Sequence, residues 1–209
     1  MNQSQFQQAA GISAGLAARW FSPLTAALKE FGITAPADIA MFIAQMGHES
    51  MGFTRVVESL NYSSEALKEK FKRRITPKQA DEFGRTSEHA ANQEAIANLI
   101  YGGDWGYENL GNKNPGDGWR YRGRGLPQIT GLANYRACGA ALTLDLVAQP
   151  ELLEIDLNAA RAGTWFYTSR GCMAYGADVN RVTRTINGGY EGLDDRKTRY
   201  NKARAALLI

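Results

Sequence analysis

The stretch from Thr34 to Tyr62 constrains the fold of this chain most strongly. Thr34 and Pro36 are typical of a helix start, and Asp38 falls in the first turn, where the helix dipole favours a negative charge. The sequence therefore predicts a helix that ends near Gly52 and buries one side in the hydrophobic core. Its apolar residues recur at the i, i+3, i+4, i+7 spacing of a single helix face: Ile39, Phe42, Ile43 and Met46.

Two glutamates in this stretch are candidates for acid–base chemistry. Glu49 continues the apolar face near the negative end of the helix dipole, and both burial and the dipole disfavour a charged carboxylate, as a general acid requires. Glu58 follows after the helix has ended, so a turn of the chain can bring it opposite Glu49. Two carboxylates in unlike environments are the working groups of glycoside hydrolysis. The alternative is an ordinary ion pair of Glu49 with Arg55 or a lysine, because structural ion pairs are common.

Composition restricts the classes of protein to which this chain can belong. The chain has 209 residues, 44% hydrophobic and 22% charged, which suits one soluble domain with a substantial core. Its net charge of +3 and scattered basic residues argue against a dedicated nucleic-acid binder. Cys138 and Cys172 lack metal-ligand spacing and predict buried, reduced thiols, with one disulfide as the alternative. No transmembrane segment or export signal is visible, so we expect a protein made in the cytoplasm.

Helix signals continue through most of the chain, so the predicted fold class is mainly α. The pattern predicts one helix over residues 3–18 and a second that begins at Ser22–Pro23. Thr76 begins a sequence typical of a capping box. We expect a single domain over residues 1–209, in which residues from about 64 to 104 form a smaller helical lobe.

The segment from Tyr101 to Gly131 has a different composition. Nine glycines alternate there with aromatic residues and amides, which predicts loops and at most a short β-hairpin. Aromatic rings beside amides suit a sugar-binding wall, and the alternative is that the rings fill the core. The chain has no Walker-type phosphate loop, and Gly123–Gly125 follows no obvious buried strand, so a nucleotide site is not expected.

Three separated motifs occur in a fixed order along the chain. They are AQMGHES followed by Glu58 and Asn61–Tyr62, then GRGLPQITGLANY at 123–135, then INGG at 186–189 ahead of DDRKTRY. This order resembles glycoside hydrolase family 19 over residues from about 35 to 200, including the chitinase-like catalytic domains of that family. The resemblance is closer to the single-domain endolysins of phages that infect Gram-negative bacteria. It implies an inverting hydrolase with a lysozyme-like, mainly α fold of two lobes that flank a substrate groove.

The resemblance also implies roles for individual residues. Glu49 matches the general acid, Glu58 the general base that activates water, and Thr130 the hydroxyl residue that helps to hold this water. An arginine near Glu58 would keep that glutamate ionised. The other candidate site residues are expected to contact the sugar or to support the carboxylates: Gln128, Asn134, Trp119, Tyr121, Asn187 and Arg196.

No cofactor or metal is expected at this site. His48 and His89 are the only histidines, and no cysteine lies near either in the sequence. We interpret His48 as a structural hydrogen-bonding residue, because adjacent helical residues point to different sides. The disulfides and chitin-binding module of plant relatives are absent and Pro127 interrupts the usual aliphatic pair before Gln128, which argues against chitin as the substrate.

The preferred hypothesis is an endolysin that hydrolyses the β-1,4 bonds of the MurNAc–GlcNAc strand of peptidoglycan and so lyses the host cell. We expect a monomer that stays in the host cytoplasm until a holin gives it access to the periplasmic peptidoglycan. No nucleic-acid partner and no stable membrane insertion are expected. The alternatives are a chitinase that acts on GlcNAc polymers, a lytic transglycosylase that needs one glutamate, and a non-catalytic glycan-binding virion protein. Which of the two alternating bonds is cut stays open.

Overall fold

The computed structural model describes residues 1–207 and is mostly helical. This confirms the predicted fold class. Among the described residues, no helix is long and apolar enough to cross a membrane. Two 3-10 helices span Pro150–Glu154 and Cys172–Tyr175. The α-helices are α1 (Gln3–Ala10), α2 (Ala14–Glu30), α3 (Pro36–Glu49), α4 (Ser64–Lys70), α5 (Pro77–Phe83), α6 (Gln93–Ile100), α7 (Gly103–Leu110), α8 (Asp117–Arg120), α9 (Leu132–Leu142), α10 (Asp156–Ser169), α11 (Val179–Asn187) and α12 (Leu193–Leu207).

The chain divides into two compact units. The first contains Met1–Val56, Gly125–Gln128 and the C-terminal part from Glu151. The second contains Val57–Arg124 and Ile129–Pro150. The segment 64–104, expected as a small lobe, lies within the second unit, which extends beyond it on both sides.

Helix α3 lies at the centre of the core of the first unit. Residues on every side of it from Ala40 to Gly47 are buried, as expected for a helix surrounded by other elements. Helix α12 packs along α3, α1 packs against α12, and α2 packs against α10. The chain that follows α3 is held to this core by Trp20 of α2, whose indole N–H donates to the carbonyl oxygen of Phe53 at 2.9 Å. These contacts fix where α3 ends.

Two helix boundaries differ from those predicted. The helix expected over residues 3–18 is broken at Gly11, which has φ +64° and ends α1. Helix α2 then runs through Pro23 instead of starting there. An interior proline costs about 3 kcal/mol. Complete burial of Trp20 and Leu24 offsets this cost, since each large apolar side chain contributes about 1.5–3 kcal/mol.

The second unit has a separate, smaller core. Thr76 and Gln79 form the predicted capping box, in which each side chain accepts a hydrogen bond from the backbone N–H of the other residue. The prediction of loops was wrong for part of the glycine-rich segment, because α7 and α8 lie within it. One of these glycines, Gly106, is required by close packing, since a Cβ there would lie 2.0 Å from the carbonyl oxygen of Tyr101. The buried apolar residues of this core are Leu60, Leu67, Ile75, Ala80, Ile96, Ala97 and Ile100.

Candidate active site

Glu49 is the last residue of α3, in the first unit, and its side chain is 20% exposed. Arg196 of α12 is buried beneath it, with a side chain only 1% exposed. Arg196 donates from Nη2 to Oε1 of Glu49 at 2.5 Å and from Nη1 to Oε1 of Gln45 at 2.6 Å. Its Nε donates to the carbonyl oxygen of Glu191 at 3.2 Å. Every nitrogen of the guanidinium is therefore used to hold Glu49 and its surroundings.

This arrangement corrects two expectations. Glu49 is surrounded by a guanidinium as well as by apolar residues. The cation that forms an ion pair with it is Arg196 instead of Arg55, which is exposed. Arg196 is expected to support the carboxylates or to bind substrate, and its contact with Glu49 fits the first role. A side chain buried to this extent has no surface to offer a sugar. The structure gives it a positioning role. Gln45 was missed, although its i, i+4 spacing to Glu49 on one helix face was a usable signal.

The backbone directly after Glu49 is strained. Met51, Gly52 and Phe53 have φ values of +52°, +71° and +62°, so the chain leaves α3 through a left-handed turn. Such a conformation costs a residue with a side chain about 1–2 kcal/mol. Ser50 stabilises the turn, since its hydroxyl donates to the carbonyl oxygen of Met46 at 2.6 Å and accepts from the N–H of Phe53 at 2.9 Å. Strain of this kind clusters at functional sites.

His48 is linked to α12 by an acidic partner. Its Nδ1 lies 2.7 Å from Oδ2 of Asp195, and Nε of Arg199 donates to the same oxygen at 2.7 Å. Burial raises the pKa of Asp195, but the hydrogen bonds from Arg199 and His48 outweigh it and hold that pKa below its ordinary value. A Cβ on Gly192 would meet the imidazole of His48 at 2.1 Å, so this ring packs directly on the glycine. These contacts anchor the C-terminal turn of α3.

Glu58 lies in the second unit, where both of its carboxylate oxygens accept hydrogen bonds. Oε1 accepts from the backbone N–H of Gly123 at 2.6 Å, and Oε2 accepts from the hydroxyl of Tyr101 at 2.9 Å. The backbone N–H of Glu58 donates to the carbonyl oxygen of Gly123 at 2.9 Å. Burial, together with the negative charge of Glu58, raises the pKa of Tyr101, so its hydroxyl stays a donor at neutral pH. Nothing in the sequence marked Tyr101 as the partner of Glu58.

Short backbone pairings bring Thr130 into the neighbourhood of Glu58. Val57 forms an antiparallel bridge with Arg124, and Arg124 forms another with Ile129. Glu58 and Thr130 directly follow two of these paired residues, so they lie on segments of one small ladder. Thr130 is half-buried, and its carbonyl oxygen accepts from Nδ2 of the exposed Asn134 at 2.7 Å. These pairings and this hydrogen bond thus link Glu58, Thr130 and Asn134 within the second unit.

The remaining predicted residues are placed differently. Tyr121 is 5% exposed and its hydroxyl donates to the carbonyl oxygen of Val147 at 3.0 Å. Its ring centre lies 5.3 Å from that of Tyr135, so this ring is buried within the second unit instead of lining a sugar site. Trp119 is half-buried, and the guanidinium of Arg122 lies 3.7 Å from the centre of its ring. In the first unit, Gln128 has φ +56° and is half-buried, whereas Asn187 is exposed at the end of α11.

Metal binding and thiol reactivity depend on the described histidine, cysteine and carboxylate side chains. Within residues 1–207, no group of three histidine, cysteine, aspartate or glutamate side chains is placed to hold a metal ion. Cys138 and Cys172 are both buried, and they belong to different units. Burial raises the pKa of the Cys172 thiol to about 11, which keeps it protonated and unreactive at neutral pH.

The chain is similar to known glycoside hydrolases, although no family model matches it. A glycosyl hydrolase family 19 domain-containing protein of Haemophilus influenzae is 38% identical over 190 residues, or 90% of this chain and 88% of that protein. Basic endochitinase CHB4 of Brassica napus is 37% identical over 92 residues, or 41% of this chain and 34% of that protein. A solved bacterial family 19 chitinase has the same fold, with a TM-score of 0.62 and 24% identity over 99% of this chain and 94% of that one. Because the Haemophilus protein matches almost the full length of both sequences, this chain belongs to family 19 of the glycoside hydrolases.

Proposed function

We propose that this family 19 glycoside hydrolase is an endolysin that cuts the β-1,4 glycosidic bonds of bacterial peptidoglycan with inversion. The main observation in support of this chemistry is that two glutamates are each held by their own hydrogen-bond donors. Glu49 is held by a buried guanidinium, and Glu58 by a backbone N–H and a tyrosine hydroxyl. Hydrolysis with inversion needs one carboxyl group as acid and another as base.

Glu49 is proposed as the general acid. Arg196 donates to Oε1, so the proton that Glu49 gives to the leaving oxygen is carried by Oε2. Negative charge develops on Glu49 as the proton leaves. The guanidinium is already in place to stabilise this charge, and preorganised charge of this kind lowers the barrier of the chemical step.

Glu58 is proposed as the general base that takes a proton from the attacking water. Gly123 and Tyr101 are neutral donors that orient the carboxylate and stabilise its ionised form. Each carboxylate oxygen has two lone-pair positions, so both can still accept a hydrogen bond from water. The Thr130 hydroxyl would hold this water, while Gln128 and Asn134 would contact the sugar substituents.

The biological role proposed is lysis of a bacterial host by a phage protein. The enzyme would wait in the host cytoplasm until a holin opened the membrane and would then act on peptidoglycan in the periplasm. The resemblance of its motif order to single-domain endolysins supports this role.

The second candidate is a chitinase that acts on GlcNAc polymers. It is favoured by the description of the Brassica napus relative as an endochitinase and of the solved structure as a chitinase.

A digest of purified Gram-negative peptidoglycan with the wild type and Glu49→Gln tests the proposal. The products are reduced with borohydride and identified by mass spectrometry. New reducing saccharide ends from the wild type alone support hydrolysis by Glu49, and the identity of the reduced sugar reports which bond is cut. Anhydro-muramic ends would indicate a lytic transglycosylase. Cleavage of chitin oligomers without cleavage of peptidoglycan would replace the endolysin by the chitinase.

A further inference from the structure

A positively charged cavity of about 400 Å³ lies in the second unit, apart from the residues discussed above. It is formed by the end of α4, the segment that follows it, and one residue of α7. Its lining side chains are Lys70, Phe71, Lys72, Arg73, Arg74 and Trp105.

Within residues 1–207, the four cations of this cavity have no acidic partner, since no described carboxylate forms an ion pair with Lys70, Lys72, Arg73 or Arg74. Lys68, on the same helix, shows the contrast, because its ammonium contacts Asp81 at 2.5 Å. Four neighbouring positive charges without a counter-charge repel one another, and a bound anion would relieve this repulsion.

Arg74 is preorganised for such an anion. Its guanidinium lies 3.3 Å from the centre of the Trp105 ring, and its Nη1 donates to the carbonyl oxygen of Ile100 at 3.0 Å. Burial lowers the pKa of Arg74, and among the described residues it is opposed by Tyr101 and by no carboxylate. A planar guanidinium that is stacked and anchored at one nitrogen keeps further N–H donors for a planar, two-oxygen acceptor.

A short chain of contacts links the cavity to Glu58 within the second unit. Ile100, which receives the hydrogen bond from Arg74, directly precedes Tyr101, and Tyr101 donates to Glu58. The charge of Arg74 also acts on the Tyr101 hydroxyl. Arg74 of the cavity is therefore connected, through Tyr101, to the glutamate proposed as the base.

We propose that this cavity binds carboxylates of the peptide stems of peptidoglycan and so distinguishes peptidoglycan from chitin. The proposal rests on the proposed function. Peptide stems carry free carboxylates along the glycan strand, whereas a GlcNAc polymer is neutral. Carboxylates match both the planar fork of Arg74 and the surrounding lysine and arginine charges.

The test compares soluble glycan strands that carry stems with the same strands after an amidase has removed the stems. The variant is Lys72→Gln/Arg73→Gln, since both side chains are exposed and their loss spares the core. The control is Lys78→Gln/Arg136→Gln, which removes two exposed charges from the same unit outside the cavity. We expect the cavity variant to raise KM about tenfold on strands with stems, since two partly exposed ion pairs contribute a few-fold each. Its kcat, and its KM on stripped strands, should match those of the control.

Equal KM values of the wild type on the two substrates, or a cavity variant that behaves as the control, would overturn the proposal while leaving the endolysin function intact. Sedimentation of the Glu49→Gln protein with intact and amidase-treated sacculi, with and without the cavity substitutions, tests the cavity even if no strand is cut. Binding of the protein to phosphatidylglycerol vesicles tests whether the anion that the cavity recognises is a lipid phosphate instead of a stem carboxylate. Cavity-dependent binding to these vesicles and none to sacculi would also overturn the proposal.

Discussion

Replacing Arg196 with lysine tests how the C-terminal end of α3 is held. The guanidinium donates through three nitrogens to Glu49, Gln45 and the carbonyl oxygen of Glu191. A lysine ammonium keeps the charge, but it is a single donor centre on a flexible stem. It cannot reproduce a fork that contacts two side chains and a carbonyl group at once.

The expected cost follows from these contacts. A hydrogen bond to a charged group contributes about 1.5–3 kcal/mol, and lysine keeps at best one of the three. The free energy of unfolding of Arg196→Lys is therefore expected to fall by about 3–6 kcal/mol, the contribution of the two lost bonds. For a protein of this size that corresponds to a decrease in Tm of roughly 6–24 °C. The rate should fall about 100-fold, because a displacement of about 1 Å of a catalytic group has an effect of that order.

The assay is thermal unfolding followed by circular dichroism, together with initial rates on soluble glycan strands. Arg199→Lys is the matched control, because Arg199 lies on the same helix and its ion pair with Asp195 is partly exposed. Exposed pairs contribute about 0–1 kcal/mol, so the control should lose less than about 4 °C in Tm. An Arg196→Lys protein with the Tm and kcat of the control would show that Glu49 does not depend on the guanidinium.

Four further changes test separate parts of the structure. Gln128→Gly relieves about 1–2 kcal/mol of left-handed backbone strain. It also removes the hydrogen bond from Nε2 to the carbonyl oxygen of Gly125, worth about 0.5–1.5 kcal/mol, so the urea midpoint should change little while initial rates fall with the loss of the amide. Tyr167→Phe should keep or raise the urea midpoint, because this buried hydroxyl has no hydrogen-bond partner among the described residues. Hydrogen bonds from Arg161 hold the pKa of Glu30 below its ordinary 4.5. Wild type should therefore exceed Glu30→Gln in urea midpoint above about pH 4.5 and lose that advantage as the pH falls through the lowered pKa. Thr130→Ala should slow hydrolysis without changing Tm, and an unchanged rate would remove Thr130 from the proposed role in holding water.

Local sequence rules worked where the structure is decided locally. Pro36 at the first helical position and the apolar spacing after it predicted α3, and the predicted face at Phe42, Ile43 and Met46 is buried. The other sides of α3 are buried as well from Ala40 to Gly47, which the prediction of one buried side did not include. The capping box at Thr76 depends only on residues within one turn. The same rules failed at Pro23 and in α7, because packing of distant residues overrides a local breaker or a run of glycines.

In the candidate site, too, features set by local sequence were predicted and features set by distant residues were not. The motifs single out Glu49 and Glu58, whose roles stay predictions. Their partners come from far along the chain, since Arg196 is 147 residues from Glu49, and no periodicity reports such a contact. The burial of Tyr121 was equally invisible, because a ring in a glycine-rich segment suits a core as well as a sugar-binding wall.

The anomeric configuration of the first product tests the central claim most directly. Soluble peptidoglycan strands are mixed with the wild type, and proton NMR spectra are recorded before the new reducing ends equilibrate. The account predicts that the α-anomer appears first from the β-linked strand, and that Glu49→Gln and Glu58→Gln each abolish its formation. A β-anomer formed first, or full activity in Glu58→Gln, would contradict an inverting reaction with Glu58 as its base.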